Sequence, residues 1–221
     1  MQTSLAHEFE GDFETHVTVR CAESELPELG EWAAARPGVK LTHIVLGRGR
    51  VTSQPMLTIS GSGTLVDHHV AARDLAAQLT ASGFAPMRVK IEASPWATGV
   101  PQDDTQAAAL GPSFYFEHHI KLLLDSNGDW QALAQIAMPH GAHVSWNARR
   151  VHESGHQERF VTQRCHGVGL PEAGHALTRL CAALSESGHE LVSVEREFVV
   201  YDSDASVDDG WIEQGLAVIA R

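Results

Sequence analysis

Two histidines occur in matching contexts, Phe13-Glu14-Thr15-His16 and Phe116-Glu117-His118-His119, each followed by aliphatic and polar residues in alternation. An imidazole beside a carboxylate is a proton-transfer pair, and such groups converging on one centre would supply acid, base and orienting carboxylate, or ligands for a divalent ion. Alternation by two places Glu14, His16, Thr18 and Arg20 on one side of a predicted strand. Glu117, His119 and Lys121 fall on one side of another. The expected site therefore has His16 and His119 moving protons, with Glu14 and Glu117 orienting them or holding a divalent metal. Lys121, Arg88, Lys90, Arg149, Arg164 and Thr18 are the residues expected to hold an anionic ligand.

The elements that must position these groups come in a repeated order. In the first half, strands are predicted at 13–21, 39–46, 56–60 and 84–93, with helices at 24–36 and 66–82; Gly61-Ser62-Gly63 is read as the break between strand and helix. The second half repeats this, with strands at 114–124, 142–150, 159–165 and 190–201 and helices at 129–138 and 171–187. Positions 13, 14 and 16 match 116, 117 and 119, Thr58 matches Thr162, and Leu75, Leu79 and Gly83 match Leu180, Leu184 and Gly188. The pattern predicts an α+β protein, a tandem duplication of a ferredoxin-like β-α-β-β-α-β unit whose two antiparallel sheets form a bilobal or barrel-like cleft. The expected units are 12–96 and 113–203, joined by a Pro/Gly-rich linker at 97–112 and followed by a tail at 204–221 in which Ile212, Leu216 and Ile219 would dock a short helix.

One side of each strand is apolar (Val17, Val19, Leu41, Val45, Leu57, Ile59, Val89, Ile91) and is expected beneath the helices. The other side is free to be polar. A solvated sheet face would show the same alternation, with Glu14 and Lys90 as an ordinary surface pair; His, Arg, Lys and Glu at mid-strand in both halves favour a shared cleft. His118, on the helix side, is expected as a hydrogen-bonded core histidine, and His68 and His69 as solvated.

Composition bounds the partners. The formal charge of −12 over 221 residues disfavours a nucleic-acid duplex or an anionic membrane. No apolar run reaches the roughly 18 residues of a membrane span and no targeting segment stands out, so a cytoplasmic location is expected. Cys21, Cys165 and Cys181 are too far apart to suggest a disulfide framework or a zinc site. Oligomeric state is left open.

Two partial resemblances bear on chemistry. His16-Val17-Thr18-Val19 resembles the His-x-Thr-x motif of two-histidine phosphoesterases, whose histidines act as general acid and base; the matching place in the second half reads His119-Ile120-Lys121-Leu122, without the hydroxyl residue. Glu117-His118-His119-Ile120-Lys121 is similar to the Glu-x-Glu-x-Lys strand of CYTH-type triphosphate tunnel proteins, with His in place of the middle Glu. Both resemblances imply phosphate chemistry, in the second with an acid-held divalent metal. The expectation is a phosphohydrolase or phosphodiesterase-like protein binding a phosphorylated small molecule or nucleotide and hydrolysing a phosphoester or phosphoanhydride; the alternative is a non-catalytic ligand-sensing or protein-interaction module.

Overall fold

The structure, a computed structural model, describes residues 8–124, 128–148 and 157–211. Among the described residues, eight strands and five α-helices run in the order β1 (Glu10–Arg20), α1 (Leu26–Ala34), β2 (Lys40–Leu46), β3 (Ser53–Thr64), α2 (Leu65–Ala81), β4 (Ala85–Ala93), α3 (Asp104–Leu110), β5 (Tyr115–Leu124), α4 (Trp130–Ala137), β6 (Ala142–Asn147), β7 (Gln157–His166), α5 (Leu170–Glu186) and β8 (Leu191–Asp202). The fold is α+β with an antiparallel eight-stranded sheet.

That sheet is one closed barrel, in the order β1-β3-β2-β6-β7-β5-β8-β4, where two antiparallel sheets forming a bilobal or barrel-like cleft are expected from the sequence. Each half on its own would leave two edge strands with unpaired N–H and C=O groups. Closure removes these edges: β2 pairs with β6 from Ile44↔Asn147 to Leu46↔Ser145, and β4 pairs with β8 from Lys90↔Asp202 to Ala93↔Phe198.

The helices cover the outside. Val17, Val19 and Leu57 are buried against Leu29, Leu75 and Leu79 of α1 and α2, and Ile120, Leu122 and Val161 against Leu133, Leu177, Leu180 and Leu184 of α4 and α5. Burying each of these side chains is worth about 1.5–3 kcal/mol. A third cluster, with Phe9, Phe13, Phe116 and Phe198, packs where the two halves meet.

Local signals explain the helix ends. Thr64 caps α2 by accepting from the Asp67 N–H, and Asp67 accepts in turn from the Thr64 N–H at 2.9 Å, a reciprocal capping box. Gly83 and Gly188, just past α2 and α5, take φ of 89° and 85°, a conformation that side-chain-bearing residues rarely adopt.

Three expectations change. Gly61-Ser62-Gly63 does not break the strand but continues β3, pairing Gly63 with Gly11 and Gly61 with Phe13; a side chain at Gly11 would run into Ala97 and one at Gly63 would crowd the Asp67 carboxylate. The 97–112 stretch, expected as a linker, holds α3, capped by Asp103, and sends Ala97 and Val100 into the third core cluster. His68 is buried, with Nδ1 3.0 Å from Thr15 Oγ1, so α2 turns it toward the sheet and away from solvent. The proposed tail helix lies outside the described residues. Among the described residues no helix is long and apolar enough to cross a membrane.

Candidate functional site

The inward side of the strands encloses a cavity of about 620 Å³ lined by Glu14, His16 and Thr18 of β1, Arg88, Lys90 and Glu92 of β4, Glu117, His119 and Lys121 of β5, Thr162 and Arg164 of β7, and Glu195 and Glu197 of β8. The predicted candidates among the described residues are thus brought into one bore. Arg149 lies outside the described residues.

The two histidines are held alike. In the antiparallel register His16 stands opposite Thr58, and its Nδ1 lies 2.8 Å from the Thr58 hydroxyl; His119 stands opposite Thr162, with Nδ1 3.0 Å from that hydroxyl. Each ring therefore turns Nε2 toward carboxylates. His16 Nε2 is 2.6 Å from Glu92 and 3.9 Å from Glu14, while His119 Nε2 is 3.3 Å from Glu117 and 3.2 Å from Glu197.

Charge follows this geometry. Burial alone would lower both histidine pKa values, but Glu92 raises that of His16, and hydrogen bonds with Glu117 and Glu197 push His119 up to about 10. Glu197 is itself raised, first by burial and then by the Glu92 charge. Glu92 and Glu117 are held below the usual carboxylate range: burial opposes this, but Lys90 and His16 outweigh it at Glu92, and Arg164 and Lys90 at Glu117.

The cations expected to meet a phosphate are already engaged. Arg88 pairs with Asp202 and Asp208 at 2.5 and 2.9 Å, Lys90 with Glu92 and Glu117 at 2.6 and 2.8 Å, and Arg164 with Glu117 and Asp208 at 2.6 and 2.7 Å. Each faces two carboxylates, and turning any of them to a phosphate would strand buried acids. Lys121 is more loosely held, 3.9 Å from Glu158 and over the Phe160 ring. Thr18 is buried in the wall. Glu14 does not pair with Lys90; it accepts from Ser60 at 3.2 Å and is the most exposed of the predicted acids that contact a histidine. His118 sits on the helix side as expected, with Nδ1 3.0 Å from Gln163 Oε1.

Four acids not chosen from the sequence carry much of the arrangement: Glu92, Glu197, Asp202 and Asp208. Glu92 and Glu197 lie on the expected inward faces, where alternation on β4 and β8 was the available signal. Asp208 lies in the short 3-10 turn Ala205–Asp208, where no periodicity marks it. The glycine-spaced hairpin Gly47-Arg48-Gly49-Arg50 binds this same segment: Arg50 donates to the Ser206 hydroxyl at 2.7 Å and its N–H to the Asp209 carbonyl, also at 2.7 Å.

Ligand atoms of Glu14, His16 and Glu197 lie within 4.8 Å of one another, as do those of Glu92, His119 and Glu197. The two triads share Glu197. Each offers one imidazole nitrogen and two carboxylate oxygens, a donor set suited to a divalent transition metal.

No family model matches the chain, and no curated protein matches it. Among solved structures it is similar to TA0507, a protein named for chlorite dismutase, at 14% identity and a TM-score of 0.27, covering 89% of this chain and 96% of that one. The siroheme decarboxylase NirDL, bound to an iron-uroporphyrin III analogue, matches at 11% identity and a TM-score of 0.27 over 90% of this chain and 74% of its own. A dye-decolorizing protein from V. cholerae matches at 10% identity and a TM-score of 0.24 over 86% and 94%. With Arg88, Lys90 and Arg164 each closed on two carboxylates, the expectation of a phosphate-binding, phosphate-hydrolysing cleft is corrected.

Proposed function

We propose that the barrel binds a divalent transition-metal ion in its bore, with Glu197 as the shared ligand of two overlapping triads, His16 and Glu14 on one side of it and His119 and Glu92 on the other. The observation that carries this reading is the pair of overlapping His–carboxylate triads sharing Glu197, each histidine steered by a threonine. An Nδ1 held by a threonine hydroxyl fixes the ring so that Nε2, once the entering ion displaces its proton, presents its lone pair inward, which is how metal-ligating histidines are oriented. Carboxylates crowded beside Glu197, with burial and Glu92 raising its pKa, form a place where an added cation relieves repulsion. The cavity of about 620 Å³ leaves room for water or a small molecule on the same ion, which would act as a Lewis acid toward it. The shared strand order of the halves and their equivalent His–Thr contacts support reading 12–96 and 113–203 as two copies of one unit.

The test is titration of chelator-stripped protein with Co²⁺ and Zn²⁺, followed by calorimetry and by the visible spectrum of bound cobalt. Stoichiometric binding is expected, weakened by roughly tenfold or more in His16→Ala and His119→Ala. An absence of binding, or binding untouched by both changes, would leave a self-satisfied buried ion network and end the metal reading.

A further inference from the structure

The bore has two unlike walls, and the metal reading uses only one. Round the barrel, the consecutive strands β5, β8, β4 and β1 carry both histidines and the carboxylates of both triads. Of the remaining consecutive strands, β3, β2 and β7 turn Met56, Ile44, Leu46 and Phe160 toward the same cavity, interleaved with polar groups such as Lys40, Gln54 and Arg164, while β6 contributes Ser145 and Asn147. Trp211 joins this side, its indole N–H donating to the Val144 carbonyl at 3.2 Å. Met56, Ile44 and Phe160 point into the barrel yet are only half-buried, so apolar surface is left uncovered inside the molecule.

A cavity of about 620 Å³ lies within the roughly 300–1,000 Å³ typical of small-molecule sites and far exceeds what one ion needs. Two aromatic rings and a methionine on one wall suit a flat apolar body, through ring packing and sulfur–aromatic contact. The opposite wall suits oxygen donors only when a cation sits among its carboxylates, so the inference rests on the metal reading for its head group.

We propose that the bore takes a small aryl chelator, a molecule with a flat aromatic body and a pair of adjacent oxygen donors at one end. The donors bind the ion held at Glu197 by the overlapping triads, and the ring lies against Met56, Ile44 and Phe160. Selectivity comes from the apolar wall and affinity for the head group from the metal.

The experiment compares benzohydroxamate with acetohydroxamate, which share a chelating head and differ in the body. Each is titrated into cobalt-loaded protein and read from the cobalt spectrum. The phenyl compound is expected to bind at least about tenfold more tightly, because its ring leaves water for an apolar wall. That advantage is expected to shrink to less than about threefold in Phe160→Ala, or in Met56→Ala should the first variant fail to fold by circular dichroism. Cobalt affinity measured in each variant reports on the metal site separately. Equal affinity of the two hydroxamates on cobalt-loaded protein, or an aryl advantage that survives both substitutions, overturns the aryl-chelator proposal and leaves the metal reading standing. Failure to bind cobalt at all overturns both.

Discussion

Arg164 on β7 donates a 2.7 Å hydrogen bond to Asp208, which lies beyond the last strand in the turn Ala205–Asp208. Arg88 reaches the same carboxylate at 2.9 Å, as does the Gln54 amide, so three strands are tied to one buried acid. Burial would raise the Asp208 pKa, but Arg88 and Arg164 hold it below the ordinary range. Asp208→Ala leaves two buried guanidiniums facing each other without their shared counter-ion. A loss of about 3–5 kcal/mol is expected, read from denaturant midpoints, as for other broken buried pairs. A loss below about 1 kcal/mol would mean that water replaces the carboxylate there.

That contact marks the limit of what the sequence discloses. Period-two alternation placed Glu14, His16, Glu117, His119, Lys90 and Arg164 on inward faces, because a strand has only two sides. It did not say which inward groups meet. The Lys90–Glu117 contact crosses from one half to the other and exists only because β4 pairs with β8, a closure set by which edges find each other. Alternation looks the same for an open face and for a barrel interior, so it does not distinguish two sheets across a cleft from one closed barrel. Charge alone marks the cations, whereas the availability of Arg88 and Arg164 depends on Asp208, in a segment without periodicity. His68 was assigned to the surface because a helix turns every residue past both environments, and packing against Phe13 decided the matter.

Removing the threonine hydroxyls separates orientation from ligation. Thr162→Val keeps the volume and deletes the group 3.0 Å from His119 Nδ1; Thr58→Val does the same for His16 at 2.8 Å. Each is expected to cost about 1 kcal/mol of stability. Cobalt affinity is expected to fall about 10–100-fold, the usual effect of losing a ligand's supporting contact. Calorimetric titration of both variants checks this, and unchanged affinity would show that the rings need no support.

Adjacent histidines are expected to titrate in opposite directions in the metal-free protein. Burial lowers the pKa of His118, whereas contacts with Glu117 and Glu197 outweigh burial and push His119 up to about 10. An unfolded histidine titrates near pH 6.5. The stability that His119 contributes is therefore fully present below about pH 6.5 and is lost as pH rises toward about 10. His118 works the other way, costing stability as pH falls below about 6.5. Imidazole NMR should find His119 protonated and His118 neutral at pH 7, and unfolding curves of wild type against His119→Gln should converge as the solution becomes alkaline. Curves separated by a constant amount from about pH 6 to 10 would refute the His119 assignment.

Lys90 offers a test in which stability and affinity move apart. Its ammonium lies 2.6 Å from Glu92 and 2.8 Å from Glu117 and stays charged because those acids overcome its burial. Lys90→Met deletes the charge while keeping an unbranched apolar stem, and leaves two buried carboxylates short of a cation. The metal-free variant should lose about 3–5 kcal/mol. A divalent ion at the His119–Glu92–Glu197 triad would then face one positive charge fewer, so its affinity should rise by roughly tenfold or more, as Coulomb's law requires at such range. Saturating cobalt should accordingly recover a larger share of the thermal stability in Lys90→Met than in wild type, since binding stabilises by RT ln(1 + L/Kd) at free ligand concentration L, and a lower Kd gives more at the same free cobalt. A variant that is destabilised and also binds cobalt more weakly would mean that Lys90 shapes the site rather than opposing its charge, and the ion would then have to lie away from Glu92.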